Sequence, residues 1–319
     1  MRDCRLMAMH RPIRLAALPS VLLLLVACNG TIGASPTPGS SASPTPGSSA
    51  SPTPGSSATP TLSPSPSPAP TAEPNADVAI VRIENVGGFM PPQMIWRRYP
   101  DVVLYGDGRL ITQGPQVAIY PGPALPSLVV TQLTPHGVEQ VLEWAREAGL
   151  VGPDRLLGQP IPDVGMTNFT IVYPDGTHTT SLSPGFGLDS PDPQIGAVQQ
   201  FEQVLLAIRT WLPDDVVGDD AAYTWDRLWI ISNPADPQNL PDPHLATEKD
   251  WPLAALATLG APMSFGDGYR CAVIDGADLA TLRPMLADAN ELSLWRSDGQ
   301  LYQAIFHPML PDDEACPGF

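Results

Sequence analysis

Residues 127–149 read SLVVTQLTPHGVEQVLEWAREAG, and the apolar period changes partway along. Ser127–Leu133 is a short run rich in β-branched and apolar residues, which predicts a strand. Thr134 is a good helix N-cap, and Pro135 suits the first helical position, where a missing N–H is no loss. From there Val138, Val141, Leu142, Ala145 and Ala148 share one face at helical spacing. Gly149 is a natural stop. The unit is a strand running directly into a capped amphipathic helix.

Upstream, Val78–Val86 alternates apolar residues as a strand does, and Asp101–Thr112 reads as a hairpin turning at Gly106-Asp107-Gly108. Downstream, Asn168–Leu182 is a second hairpin turning at Asp175-Gly176. A helix follows with Asp192 as its cap and Ile195, Val198, Phe201, Leu205, Ile208 and Leu212 as its buried stripe, ended by Pro213. Asp214–Asp220 reads as an acidic break, Tyr223–Ile231 as a strand and Asn233–Pro243 as a surface loop. The chain then predicts a strand (Tyr269–Ile274), a helix (Asp278–Asn290) and a third hairpin (Glu291–Phe306) turning at Asp298-Gly299.

The expected fold class is α+β: antiparallel sheet with helices packed on one face. Two related strand–helix–hairpin units are one reading, since Val138, Val141 and Ala145 align with Leu279, Leu282 and Leu286. The other reading is that any such unit carries these signals, and Pro284 spoils a clean match. The expected division is a domain over 77–213 and a second unit over 214–319 packed on the first.

The first 27 residues have a different composition. Arg2, Arg5, Arg11 and Arg14 precede a leucine-rich run, Leu15–Ala27, too short to span a bilayer. This is the pattern of a secretory signal. The run ends Leu25-Val26-Ala27-Cys28, which resembles the lipobox of bacterial lipoproteins. The resemblance implies that the Cys28 thiol carries lipid and that the chain is cut before it. The other reading is a plain secretory signal with an incidental cysteine.

Residues 28–76 form the expected tether. SPTPGSSA occurs three times in succession over 35–58, and proline alternating with Ser, Thr and Ala continues beyond. Such a segment buries too little apolar area to offset its ordering entropy. It predicts an extended spacer reaching about 150 Å at most. The expected location is the outer face of a cell membrane, with the bilayer as partner through Cys28.

The net charge of −17 for the whole chain becomes more acidic without Arg2, Arg5, Arg11, Arg14 and Asp3, leaving 12 basic against 32 acidic residues. Nucleic acid is excluded as a partner on these grounds. With Cys4 in the signal and Cys28 lipidated, Cys271 and Cys316 remain, and parity in an exported chain predicts a disulfide between them. Two free thiols are the rival reading.

The sequence offers no catalytic motif: it has no G-x-S-x-G, H-E-x-x-H, C-x-x-C or phosphate-cradling glycine loop. No cofactor is called for. His244 and Glu248, four apart, are a weak metal pair, and carboxylates in the turns, such as Asp189, Asp192, Asp214, Asp219, Asp236, Asp242, Asp312 and Asp313, leave a calcium site open. Their plainer role is capping and turns. His178 is expected on the solvent side of its strand. Trp96, Trp225, Trp229, Trp251 and Trp295 are either core or an interaction surface, and Phe89, Trp96 and Trp225 are the candidates for such a surface.

Over 78–212 the order of elements, opening with a strand into Gly87-Gly88-Phe89, resembles emfourin-type protease-inhibitor domains, although the insert at Tyr99–Pro126 departs from that compact pattern. The whole region, with its Pro-Asp-Asp-Glu-Ala-Cys ending, resembles uncharacterised secreted bacterial lipoproteins. Neither supplies catalytic residues. The expectation is a non-catalytic binding module, in its sharper form a protease inhibitor, meeting a secreted protein partner. The alternative is a cell-envelope hydrolase using paired carboxylates, which leave no local signature.

Overall fold

The computed structural model describes residues 76–184 and 192–317. The expected signal peptide (1–27), Cys28, the tether up to residue 75 and Asp189 lie outside the described residues.

Eight strands make the first sheet: β1 (Ala79–Val86), β2 (Val102–Tyr105), β3 (Arg109–Gln113), β4 (Leu128–Leu133), β5 (Arg155–Leu157), β6 (Met166–Tyr173), β7 (Gly176–Leu182) and β8 (Val217–Ala222). They lie in the order β5-β7-β6-β1-β2-β3-β4-β8. All neighbours are antiparallel except β5 and β7. Its helices are α1 (Pro92–Trp96), α2 (Pro135–Glu147), α3 (Pro193–Leu206) and α4 (Ile208–Trp211). Thr134 caps α2 by accepting from the Gly137 N–H, and Asp192 caps α3 by accepting from the Gln194 N–H. The expected helix to Leu212 breaks at Ala207, where α3 gives way to α4.

The second sheet has β9 (Arg227–Pro234), β10 (Glu248–Asp250), β11 (Ala261–Pro262), β12 (Arg270–Asp275), β13 (Leu294–Ser297) and β14 (Gln300–Pro308), in the order β10-β13-β14-β9-β12-β11. Helix α5 (Gly276–Ala287) continues through Pro284. The α+β class therefore holds, with predominantly antiparallel sheets.

Alternation along each strand gives both sheets two apolar faces. On the first, Val81, Ile83, Val102, Leu104, Phe169 and Ile171 pack with Val141 and Ala145 of α2 and Val198 and Phe201 of α3. On the second, Leu228, Ile230, Ile274 and Phe306 pack with Leu279, Leu282 and Leu286 of α5. Each remaining face has its own cluster: Val103, Tyr105, Ile111 and Leu128 with Tyr99 and Leu310, and Trp229, Ile231 and Ile305 with Trp96 and Met309. Tyr99 and Trp96 come from the first unit's chain, Leu310 and Met309 from the end of the second. The two sheets thus exchange residues, and all described residues fall within a single compact unit.

Two expectations are corrected. The division after residue 213 does not separate the sheets, because the stretch read as an acidic break overlaps β8, which pairs with β4 in the first sheet. Its side chains past Val217 are exposed, so no alternation marked it as a strand. The duplication does not extend to topology. The first sheet's hairpin docks through its leading strand, β6 on β1, whereas the second docks through its trailing strand, β14 on β9.

Candidate functional site

At the end of β1 the chain turns through Gly87 (φ 68°) and Gly88 (φ 83°), a region costly for residues with a Cβ. A Cβ on Gly88 would stand 3.1 Å from the Gly165 nitrogen, tighter than most side chains accept, so the neighbouring loop would have to give way by a few tenths of an ångström. The turn thrusts Phe89 outward, 90% exposed, while its N–H donates to the Asp163 carbonyl at 2.9 Å. Helix α1 follows, with Met94 and Ile95 exposed and Trp96 buried edge-on against Phe265 at 5.0 Å. Gln93 Nε2 donates to the Tyr269 hydroxyl at 3.3 Å. Three loops are therefore tied together, and Phe89, Met94, Ile95, Val164 and Phe265 present large apolar side chains to solvent from them.

Arg98 braces this surface from below, donating to the Asn85 carbonyl at 2.6 Å. Asp101 accepts from Asn85 Nδ2 at 2.6 Å and from Gln113 Nε2 at 3.3 Å. Burial raises the Asp101 pKa against the opposing pull of Arg98. A groove of about 510 Å³ runs past Phe89, Arg98, Asp101 and Asp163. A second, of about 330 Å³, lies on the other side of Gly88 and Arg98 and reaches Arg82, Tyr99, His307 and Asp313.

Tyr99 and His307, which line the second groove, belong to a stack of three rings. His307 lies between Tyr99 (4.0 Å, 5° from parallel) and Trp229 (4.2 Å, 7°). Its Nδ1 faces the Trp96 carbonyl at 3.2 Å and its Nε2 faces Asp313 at 3.5 Å. Asp312 accepts from Arg82 at 2.9 Å and from the Tyr105 hydroxyl at 2.5 Å. Asp313 accepts from the Leu310 N–H at 2.7 Å. Burial alone would lower the Arg82 pKa, but Asp312, Glu84 and Asp313 outweigh it and raise it. These two neighbouring acids are thus committed to holding the C-terminal segment on the first sheet.

Of the residues singled out in the sequence, Phe89 stands at the tip of the exposed loop. Trp96 does not join it: it is 2% exposed and belongs to the core, because α1 turns that side of the helix inward. Trp225 lies apart and half-buried, under the Arg283 guanidinium at 3.9 Å. Trp229, Trp251 and Trp295 are all buried. Cys271 and Cys316 form a disulfide, Cα atoms 5.9 Å apart.

His244 sits in a short 3₁₀ turn and Glu248 in β10 beside Arg296, so they share no helix face. His178, expected on the solvent side, is mostly covered, with Nδ1 2.5 Å from the Gly152 carbonyl. Asp192 and Asp236 are helix caps, Asp219 pairs with Arg209, Asp220 accepts from Thr131 and Asp242 from Tyr120. Among the described residues no cluster of His, Cys, Asp or Glu is arranged to hold a metal ion, and no helix is long and apolar enough to cross a membrane.

Sequence reasoning missed Met94, Ile95, Val164 and Phe265. Each is a single apolar residue in a loop or a five-residue helix, and only the fold ties their loops together. Comparison with protein families, with curated proteins and with solved structures finds no match to this chain.

Proposed function

We propose that the protein is a lipid-anchored, extracytoplasmic binding module whose contact surface is the loop cluster around Phe89. The observation that carries the reading is the combination of exposure and fixation at Phe89. A large aromatic side chain, 90% exposed, sits on backbone held by the Asp163 carbonyl and the Gly88–Gly165 approach. Fixed aromatic anchors lose little conformational entropy on binding and dominate interface energetics. Met94, Ile95, Val164 and Phe265 supply the surrounding apolar area. The anchor is the thiol of Cys28 in Leu25-Val26-Ala27-Cys28, and the repeat-rich tether gives the surface reach. A secreted protein is the partner in this reading, and a protease is its sharper form.

The test is capture of secreted proteins from the source organism on the immobilised chain, run beside Phe89→Ala. A species retained by the original chain and lost from the variant supports the site. Equal retention on both places the contact elsewhere, and no specific retention removes the protein-partner reading.

A further inference from the structure

After β3 the chain runs Gly114-Pro115-Gln116-Val117-Ala118-Ile119-Tyr120-Pro121-Gly122 across the surface. Residues 114–119 contain no turn or bend, so this is straight backbone outside any sheet. Every residue from 115 to 120 is exposed, including Val117 (58%), Ile119 (64%) and Tyr120 (57%). Among the described residues, no main-chain hydrogen bond is made by 115–121. Both ends are held. The Gly114 N–H donates to the Ser127 carbonyl, and the Gly122 N–H to the Glu291 carboxylate, each at 2.9 Å. The Tyr120 hydroxyl donates to Asp242 at 2.7 Å. A straight, clamped apolar segment with open main-chain groups has the properties of an edge strand that lacks its neighbour.

Its sequence mirrors itself about Ala118. Pro115 answers Pro121 and Val117 answers Ile119, while Gln116 stands opposite the unlike Tyr120. Laid antiparallel against a second copy on a two-fold axis through Ala118, Val117 of each copy opposes Ile119 of the other on one face. The prolines, lacking N–H groups, end the ladder at both sides. Charge points the same way. From Leu110 to Val138 there is no Asp, Glu, Lys or Arg, in a chain of net charge −17. Two such acidic bodies repel least along this stretch, whose nearest carboxylates, Asp242 and Glu291, stand at its Tyr120–Gly122 end and are engaged in hydrogen bonds.

We propose that residues 116–120 are a self-association site, through which two copies pair as a two-stranded antiparallel ribbon. Five residues a side fall well short of the roughly 1,200 Å² of a stable interface, so pairing in solution is weak, with a dissociation constant on the order of 0.1–1 mM. It takes effect where copies are crowded, as on a membrane. That clause rests on the anchoring reading; the pairing does not.

Sedimentation equilibrium of the chain from residue 28 onward, made with Cys28→Ser so that no acyl group drives association, tests this. The expected result is a monomer–dimer equilibrium that tightens severalfold between about 50 mM and about 500 mM salt, as screening relieves acidic repulsion. Val117→Asp with Ile119→Asp should weaken it at least tenfold, because it places carboxylates opposite one another. Ala118→Pro, which removes a ladder N–H, should weaken it too. The changed side chains are exposed, and circular dichroism checks that the fold is kept. A strict monomer at about 1 mM, a dimer indifferent to both variants, or a dimer that loosens with salt overturns the proposal.

Discussion

The imidazole of His307 lies flat on the ring of Tyr99, 4.0 Å away and within 5° of parallel. Tyr99 precedes the first sheet's second strand and His307 lies in the last strand of the second, so one ring contact joins the two halves. Trp229 closes the stack from the other side. His307→Ala removes the middle ring and should destabilise the protein by about 2–4 kcal/mol, through lost burial and the cavity left behind. His307→Phe keeps the stack but loses the polar contacts to Trp96 and Asp313, and should cost about 1–2 kcal/mol. Urea denaturation of both variants checks the order.

The disulfide ties residue 316 to β12 across a separation of 45 residues. Replacing both Cys271 and Cys316 by Ser should cost about 2–4 kcal/mol, most of it through freedom gained by the unfolded chain. Hydrogen exchange should also show faster opening at residues 311–317, because Asp312 and Asp313 then hold the tail alone. An unchanged urea midpoint with a reductant added would contradict this.

Alkaline pH should unfold the protein through its buried tyrosines. Burial raises the Tyr99 pKa, with Asp313 adding to it, and raises that of Tyr105, with the Asp312 hydrogen bond adding to it. Tyr223 is pushed up to about 12, chiefly by burial. A raised tyrosine pKa means that the unfolded chain gives up its proton first. The stability is fully present below about pH 10 and is lost as pH climbs through the folded values. Tyr99 and Tyr105 should each contribute a slope of up to about 1.4 kcal/mol per pH unit, and the more exposed Tyr223 less. Urea midpoints set beside tyrosinate absorbance over this range test it.

At the candidate surface, stability and contact should separate. Phe89→Ala removes an exposed side chain and should change stability by less than about 0.5 kcal/mol. Gly87→Ala meets no atom within 4 Å and carries only the positive-φ penalty, about 1–2 kcal/mol. Gly88→Ala carries the same penalty and also presses on the Gly165 backbone at 3.1 Å, so it should cost more. The ranking is read from thermal midpoints of the three variants.

The strands, helices and hairpins that bury one clear face were legible in the sequence. Thr134 and Asp192 cap the helices they were expected to cap, and the Asp-Gly turns at 107–108, 175–176 and 298–299 separate paired strands. What could not be read were elements defined by their neighbours. Strand β8 shows solvent Gly218 and then four exposed side chains in succession, and its pairing with β4 leaves no trace in its own residues. Trp96 stood open between core and surface because a loop-like stretch, Gly87-Gly88 and Pro91-Pro92, precedes it and its partners Phe265 and Tyr269 lie far along the chain. The candidate site was legible only at Phe89, where the glycine turn and the aromatic residue are adjacent in the chain.

Arg82 and Asp312 are 230 positions apart and pair at 2.9 Å. Arg82 in strand β1 thus shares its charge between Glu84, two positions away, and acids reached only after the second sheet has been made. Contacts this distant in sequence form late and slowly. A growing chain can close its first sheet once β8 is complete, but Tyr99 and Tyr105 lack part of their cover until residues 308–312 have been made. The segment 308–313 is thereby a condition for closing the core between the sheets, and a chain cut before residue 309 would be left with an open apolar face for quality-control proteases to find.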